Sequence, residues 1–468
     1  MSATPVADPD GLVILHLGLG SFHRAHQAVY LQDLIDSGDT RWSIAGGNLR
    51  PDQPQVMAAL QAQGGAYTLE TVSPAGERAY RKITSIRRIV PYEPSLAGLI
   101  EAGAAPSTRI ISFTVTEAGY YLDSKNRLQP HFPDLASDLA GTTRVTIYGA
   151  LETILDERMR RGAGGVTLLN CDNLRSNGER FHAGFADFLA RRGNHALLEW
   201  LTANATTPNA MVDRITPRPP ADLAPRVQAA TGWADAAPVM GEKFIQWVIE
   251  DHFRNGRPAW EKVGAELVPS VLPYEEAKIR ILNSSHSCIA WAGTLIGKRF
   301  IHEGVVVPAI HRMAHAYVTH DVIPCLTPSP IDLAKYRDVV LDRFSNPYLA
   351  DTNQRVAMDG FSKIPGFLWP TFQERLKSGA SIAHVARLPA LFHVFLRRWH
   401  EGKLPYAYED QSMDPARAHA FFSGGDSIAA FCGDPVLWGP LAGAPALVAA
   451  IRTANVEVEA FVAAHGGH

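Results

Sequence analysis

A six-residue apolar run, Leu12–Leu17 (LVILHL), passes directly into Gly18-Leu19-Gly20. A helical pattern follows from Arg24 to Ile35, with Ala25, Ala28, Val29, Leu31 and Leu34 on its apolar side. A strand that turns through glycines into a helix is the first half of a strand–helix–strand unit, and the alternation continues. Trp42–Ala45 (WSIA) ends in Gly46-Gly47-Asn48. Arg109–Val115 (RIISFTV) and Gly165–Leu169 (GVTLL) are further strand candidates, with a helix over Tyr148–Arg161 between them. Parallel neighbours need a long crossover, which such helices supply, so the pattern predicts a mostly parallel, doubly wound α/β sheet. Near Pro269 the character changes. Glu275 to Leu295, Pro308–Thr319, Pro370–Lys377, Ala380–Gly402 and Leu441–Ala464 read as helices, separated by proline-rich turns such as Pro324–Pro330. The expected organisation is an α/β domain over 1–267 and a mainly α-helical domain over 268–468.

A chain of 468 residues exceeds one ordinary core. Its 46% hydrophobic and 19% charged content is that of a soluble globular protein, and a net charge of -3 argues against nucleic acid or an anionic membrane as partner. Met1 to Pro9 lacks a basic region followed by an apolar stretch, so no signal peptide is expected. The apolar runs fall far short of the ~20 residues of a membrane helix. A cytoplasmic location is expected. Cys171, Cys288, Cys325 and Cys432 are widely separated and form no C-x-x-C pair, which reads as reduced thiols rather than a disulfide framework or zinc ribbon.

The turn Gly18-Leu19-Gly20-Ser21-Phe22-His23-Arg24 sits where a dinucleotide's pyrophosphate binds in such sheets. Glycines allow close backbone approach, and a helix start supplies amide donors. His23 stands where a third glycine is usual, so the motif is degenerate; a strand-to-helix turn often needs a glycine without any ligand. Asp52, in the loop after the second strand, is the candidate for the adenosine ribose hydroxyls, and its charge would favour NAD over NADP. Arg50 could instead receive a 2′-phosphate, and Asp52 could be an ordinary solvated charge.

The segment Glu275-Glu276-Ala277-Lys278-Ile279-Arg280-Ile281-Leu282-Asn283-Ser284-Ser285-His286 carries the most chemistry. At ~100° per residue from Lys278, Glu275 lies at about 60°, His286 at about 80° and Asn283 at about 140°. Ile279 and Leu282 share that face, so it is mixed, as a pocket wall is. Oxidising an alcohol requires a base for the hydroxyl proton and donors for the oxygen as its charge develops. A desolvated lysine can be that base, because burial lowers its pKa. Asn283 can donate to the oxygen, His286 can orient it and Glu275 can pass the proton on. A solvated amphipathic surface helix fits the same pattern. No zinc-site spacing occurs, so no metal is indicated. Thr116 closes a strand where cofactor contacts are expected, and Asn173 lies in a polar strand-end cluster, which an Asx turn would also explain. Asp213 with Arg214 could be a plain surface ion pair. Arg355, Asp359 and Lys363 could grip substrate hydroxyls.

Taken together these segments resemble the polyol-specific long-chain dehydrogenases, the mannitol 2-dehydrogenase family. The carriers are GLGSFHRAHQ at 18–27, FTVTEAGYY at 113–121, LLNCDNLRSNG at 168–178 and NAMVDRITP at 209–217. FIQWVIEDHF at 244–253, YEEAKIRILNSSH at 274–286 and RVAMDGFSKIP at 355–365 complete them. The resemblance covers nearly the whole chain and contains the K-x4-N-x2-H signature. It implies a Rossmann-type domain with insertions, a helical C-terminal domain and a site between them. It implies Lys278 as base, Asn173 and Asn283 holding the oxyanion, His286 positioning the substrate and Glu275 gating proton release. Asp213, Arg355 and Lys363 would bind or support substrate. Gly18, Gly20, Ser21, Phe22, Arg24, Asp52, Thr116 and Asn173 would hold NAD. QGGAYTLETVSP at 63–74 and EEAKIRILNSSHSCIAWAGTLIG at 275–297 narrow the resemblance to members acting on five-carbon alditols, with D-arabinitol plus NAD giving D-xylulose plus NADH. The protein is expected to work as a monomer on a small polyol or ketose, without metal, nucleic acid or membrane. Mannitol or a keto-hexuronate is the alternative substrate, Arg280 being the candidate for a carboxylate although its angle of about 200° turns it away. A Schiff-base role for Lys278 and a non-catalytic NAD sensor are the readings from other classes.

Overall fold

The structure is a computed structural model and describes residues 11–123 and 126–466. The Met1 to Pro9 segment, read above for a signal peptide, lies outside the described residues. The chain divides into two compact units. One comprises Met1–Ser73 with Glu77–Leu272, the other Pro74–Gly76 with Pro273–His468.

The first unit carries twelve strands among its described residues: β1 (Leu12–Leu17), β2 (Trp42–Gly47), β3 (Tyr67–Val72), β4 (Arg78–Ile83), β5 (Ile86–Ile89), β6 (Thr108–Phe113), β7 (Val166–Asn170), β8 (Ala205–Thr206), β9 (Ala210–Asp213), β10 (Val239–Glu242), β11 (Gln246–Glu250) and β12 (Glu266–Val268). Six form a parallel sheet in the order β5-β2-β1-β6-β7-β8. Numbered among themselves, these strands run 3-2-1-4-5-6, the doubly wound dinucleotide-binding order. The insertions are two small sheets, β10-β3-β4 and β12-β11-β9. Alternate side chains leave opposite faces of a strand, and neighbouring residues separate accordingly. Leu15, Leu17, Ile111, Phe113 and Leu168 pack with the helices Ile147–Arg161 and Asn177–Arg192. Ile14, Ile44, Ile110 and Leu169 pack with the helix Gln27–Asp36. A sheet covered on both faces explains why its strands read as apolar runs rather than as polar–apolar alternation.

The helix expected over Arg24 to Ile35 is two helices, Ser21–Ala25 and Gln27–Asp36, broken at His26 with φ -128° and ψ -88°. The break falls where the His26 Nε2 bonds the Gln246 carbonyl at 2.8 Å.

The second unit is helical. Its axis is Ser284–Leu295, in which Cys288, Ile289, Ala290, Trp291 and Ala292 are fully buried. A helix buried on all sides is a core helix. Around it pack Ile301–Val305, Pro308–Tyr317, Asn353–Ala357 and Arg387–His400. The helix expected from Ala380 starts only at Arg387, because Pro389 lacks an N–H and fits only in a first turn. The helix expected from Leu441 likewise begins with Pro445 at its first position.

Among the described residues three π-helical segments interrupt this unit: Lys278–Asn283, Val318–Val322 and Ile364–Leu368. The first is in contact with both others. All four cysteines are free. Among the described residues no helix is long and apolar enough to cross a membrane.

Candidate functional site

The sheet order reverses between β1 and β6, and open α/β sheets bind ligands outside the strand ends at such a point. Gly18 leaves β1 there with φ +103°, a conformation an L side chain rarely adopts. Its N–H donates to the Gly47 carbonyl at 2.9 Å. Its carbonyl accepts the Thr114 hydroxyl at 3.0 Å and lies 3.1 Å from the His16 Nε2. His16 is fully buried, stacked on His23 at 3.4 Å, and desolvation pushes its pKa down to about 3, so it is a neutral strut. Gly20 starts the helix Ser21–Ala25 with no side-chain cap, and the space a Cβ would enter there is open. Ser21 and Phe22 are half-buried beside it. Uncapped amides next to open space fit a pyrophosphate.

Arg24 departs from expectation. Its guanidinium is buried, donates to the Ala237 carbonyl and lies 5.4 Å from the centre of the Tyr67 ring. Its side chain therefore braces the turn from within. Asn48 links the turn to the β2 loop, accepting from the Leu19 N–H at 2.9 Å and donating to the Asp52 carbonyl at 3.1 Å. Asp52 is exposed. Arg50, the competing 2′-phosphate ligand, is taken up by Asp134 at 2.7 Å and by the Tyr121 hydroxyl at 2.9 Å.

Thr116 has φ +68° and ψ 162°, a region populated essentially by glycine, at a cost of order 1–3 kcal/mol. Asp172 holds it there. That buried carboxylate accepts the N–H of Val115 at 2.9 Å and of Thr116 at 3.0 Å, and the Tyr120 hydroxyl at 2.5 Å. Burial pushes its pKa up against these three bonds. The adjacent Asn173 is exposed. Its loop is fixed by the buried Asn177, which donates to the carbonyls of Asn170, Asp172 and Ala210 and accepts the Ala210 N–H. Asp213 is buried at the end of β9. The surface location considered for it does not hold: Arg214 is also buried, and its guanidinium bonds the carbonyls of Glu242 and Ala25.

In the second unit Lys278 and Glu275 are buried and Asn283 and His286 half-buried, so the face is not a solvated one. Lys278 and Asn283 are the two ends of a π-helical segment. A π turn bonds residue i to i+5. That wider turn brings residues five apart closer to one face than the about 140° of α geometry. The altered turn is stabilised from outside: the Ser284 hydroxyl donates to the Ile279 carbonyl at 3.1 Å, and the buried Tyr317 hydroxyl to that of Arg280 at 3.0 Å. Arg280 is buried and paired with Glu276 at 2.7 Å and Glu374 at 2.7 Å.

His286 stacks on Phe344 at 4.4 Å and its Nε2 lies 3.3 Å from Asp351 Oδ2, close but poorly aligned for a hydrogen bond. Arg355 makes two bonds to the same carboxylate, at 2.7 and 2.5 Å. Asp351, with Asp172 and Asn177, is a residue sequence reasoning missed; the Asp–Arg spacing of four was its one available signal. Asp359, grouped above with Arg355, instead accepts the Gln411 N–H as a loop tether.

Lys363 donates to the Val356 carbonyl at 2.5 Å. Desolvation pushes its pKa from 10.5 down to about 8, with Asp359, Asp410 and Asp351 opposing and Arg355 reinforcing. Between pH 8 and 10.5 the unfolded chain keeps a proton the fold has released, so stability rises with pH across that window. Below pH 8 the buried charge costs up to about 3 kcal/mol. Lys363→Met is therefore expected to stabilise the protein by about 1–3 kcal/mol at pH 7 in urea denaturation, with the gain gone by pH 10.5. A variant less stable than wild type at pH 7 would contradict this. Among the described residues no group of three His, Cys, Asp or Glu side chains could hold a metal ion.

Residues 12–262 match the mannitol dehydrogenase Rossmann domain and residues 270–459 the mannitol dehydrogenase C-terminal domain. The chain belongs to the mannitol dehydrogenase family and is a polyol dehydrogenase whose first unit takes a nucleotide cofactor. It is 61% identical over 455 residues to a D-arabinitol 4-dehydrogenase of Ralstonia nicotianae, covering 97% of each chain. It is 58% identical over 438 residues to a D-arabinitol 4-dehydrogenase of Klebsiella pneumoniae, covering 94% of this chain and 96% of that one. The Pseudomonas fluorescens mannitol 2-dehydrogenase ternary complex with NAD and D-mannitol matches with a TM-score of 0.84 at 34% identity, over 98% of this chain and 95% of that one. A substrate-free D-sorbitol dehydrogenase matches with a TM-score of 0.85 at 30% identity, over 98% and 96%. The expected α/β-then-helical fold and the family resemblance both hold.

Proposed function

We propose that the protein oxidises D-arabinitol to D-xylulose with NAD, using Lys278 as general base and no metal. The observation that carries the mechanism is a buried lysine and a half-buried asparagine at the two ends of one π turn. The choice of substrate is supported by the two relatives named D-arabinitol 4-dehydrogenase. When bound, NAD would supply the acceptor for the carbinol hydride. Lys278 Nζ takes the hydroxyl proton as that hydride leaves. The amides of Asn173 and Asn283 hold the oxygen while its charge develops. Glu275 relays the proton outward, and His286, Asp213, Arg355 and Lys363 grip or support the remaining hydroxyls. Gly18, Gly20, Ser21, Phe22 and Thr116 would hold the cofactor, the glycine turn taking its pyrophosphate. The preference for NAD over NADP is supported by exposed Asp52 and by the engagement of Arg50 with Asp134.

A keto-hexuronate would need a free cation for its carboxylate. Arg280, the candidate, is neutralised by Glu276 and Glu374, which disfavours that reading. The test is turnover across five- and six-carbon alditols and hexuronates, each with NAD and NADP. D-arabinitol with NAD is expected to give the highest kcat/KM. Activity confined to mannitol or to hexuronates would overturn the substrate assignment.

A further inference from the structure

One carboxylate in the second unit is shared by two groups that the proposed mechanism assigns to the substrate. Asp351 Oδ2 lies 3.3 Å from His286 Nε2, and the same side chain receives Arg355 through Nε at 2.7 Å and Nη2 at 2.5 Å. Asp351 is itself held from several directions. Its carbonyl accepts the Ile301 N–H at 2.9 Å, the next residue, Thr352, pairs with Phe300, and the Thr352 hydroxyl accepts the Arg355 N–H at 3.2 Å. Asn353, fully buried, donates its side-chain amide to the Lys298 carbonyl at 3.0 Å. The segment cannot shift without breaking these bonds. A face of the imidazole lies against the Phe344 ring, stacked at 4.4 Å.

We propose that Asp351 is a positioning residue that fixes the tautomer and ring orientation of His286 and anchors Arg355 beside it. A carboxylate facing Nε2 favours the tautomer with its proton on Nε2. Nδ1 then presents a lone pair and accepts a substrate hydroxyl. Arg355 is 66% exposed on its side chain, so its direction would be poorly defined without the two-bond grip of Asp351. The long, misaligned His286 contact is the geometry expected before substrate closes on the imidazole. The groups facing this cluster are Asp351, Arg355 and Lys363 around His286, and Asp359 and Asp410 around Lys363. Burial pushes the Asp351 pKa up, but the neighbouring His286 and the two bonds from Arg355 outweigh this and hold it below the carboxylate range, so the carboxylate is charged throughout the working pH range.

The inference rests on the reading of His286 and Arg355 as substrate-facing, and it is tested in two ways. The first uses no substrate. Side-chain nitrogen NMR of the whole protein, with the His286 signal assigned from a His286→Asn spectrum, is expected to show the Nε2–H tautomer in the wild type and a mixture in Asp351→Asn. A wild-type Nδ1–H form, or an unchanged tautomer in Asp351→Asn, overturns the proposal whatever the substrate proves to be. The second uses whichever polyol the wild type turns over. Asp351→Asn is expected to raise KM for that polyol at least tenfold with NADH affinity within twofold, and Asp351→Glu to recover part of the loss. In a His286→Asn/Arg355→Gln background, which lacks both groups that Asp351 contacts, the same substitution is expected to add less than threefold. An equal effect in both backgrounds makes Asp351 a general stabilising residue and sinks the positioning role.

Discussion

Lys278→Met is expected to lower kcat for polyol oxidation by about 10²–10⁴-fold, the usual contribution of a positioned general base. NADH affinity, read by fluorescence titration, is expected to stay within twofold, because the turn proposed to hold the cofactor is built in the first unit from Gly18, Gly20 and the strand ends. The substitution suits the site. Lys278 is buried, and methionine keeps most of the apolar stem while removing the amine, so packing changes little. In the wild type, oxidation needs a neutral amine and its rate should rise with pH, whereas ketose reduction needs the protonated one; the variant should lose both slopes. Full turnover by Lys278→Met would remove the lysine from the chemistry and leave the proposed mechanism without a base. Borohydride trapping of a Lys278–substrate adduct would point to Schiff-base chemistry instead.

Gly18→Ala is expected to destabilise the first unit by about 2–4 kcal/mol and to weaken NADH binding at least tenfold. A Cβ at Gly18 would stand 2.3 Å from the Thr114 carbonyl oxygen and 3.2 Å from its hydroxyl. Thr114 cannot withdraw freely, since its N–H donates to the Leu17 carbonyl at 3.1 Å and its hydroxyl to the Gly18 carbonyl at 3.0 Å. The positive φ adds strain for any L side chain. Gly38 supplies the control, with φ +101° and open space around its Cβ position. Gly38→Ala is expected to cost about 1 kcal/mol and to leave NADH binding unchanged. Wild-type NADH affinity in Gly18→Ala would show that the turn does not carry the pyrophosphate.

Much of the first unit was legible because its signals are local. An apolar run bounded by glycine marks a central parallel strand. Four of the strands that build the sheet, Leu12–Leu17, Trp42–Gly47, Thr108–Phe113 and Val166–Asn170, lie within two residues of their expected ranges. The edge strands Ile86–Ile89 and Ala205–Thr206 were not legible. They are short, and at a sheet edge the pattern needs little hydrophobicity. Arg24 shows the limit for a single side chain. It stands inside the glycine motif, yet whether it turns toward a ligand or into the protein depends on Ala237 and Tyr67, distant in sequence.

Legible along the chain are the chemical groups and their order: an α/β unit with a glycine turn, then a helical unit bearing Lys278, Asn283 and His286 at fixed spacing. Strand and helix periodicity are properties of neighbouring residues, so they can be read along the chain. The tertiary structure alone decided how those groups are presented. The turn at Lys278–Asn283 is π-helical rather than α-helical, and the bonds that stabilise it include one from Tyr317, more than thirty residues away. Asp351 reaches His286 only because a buried Asn353 and the Phe300–Thr352 pairing bring its segment to the helix. The sequence names the groups; long-range packing decides which backbone carbonyls and which ring nitrogens find partners.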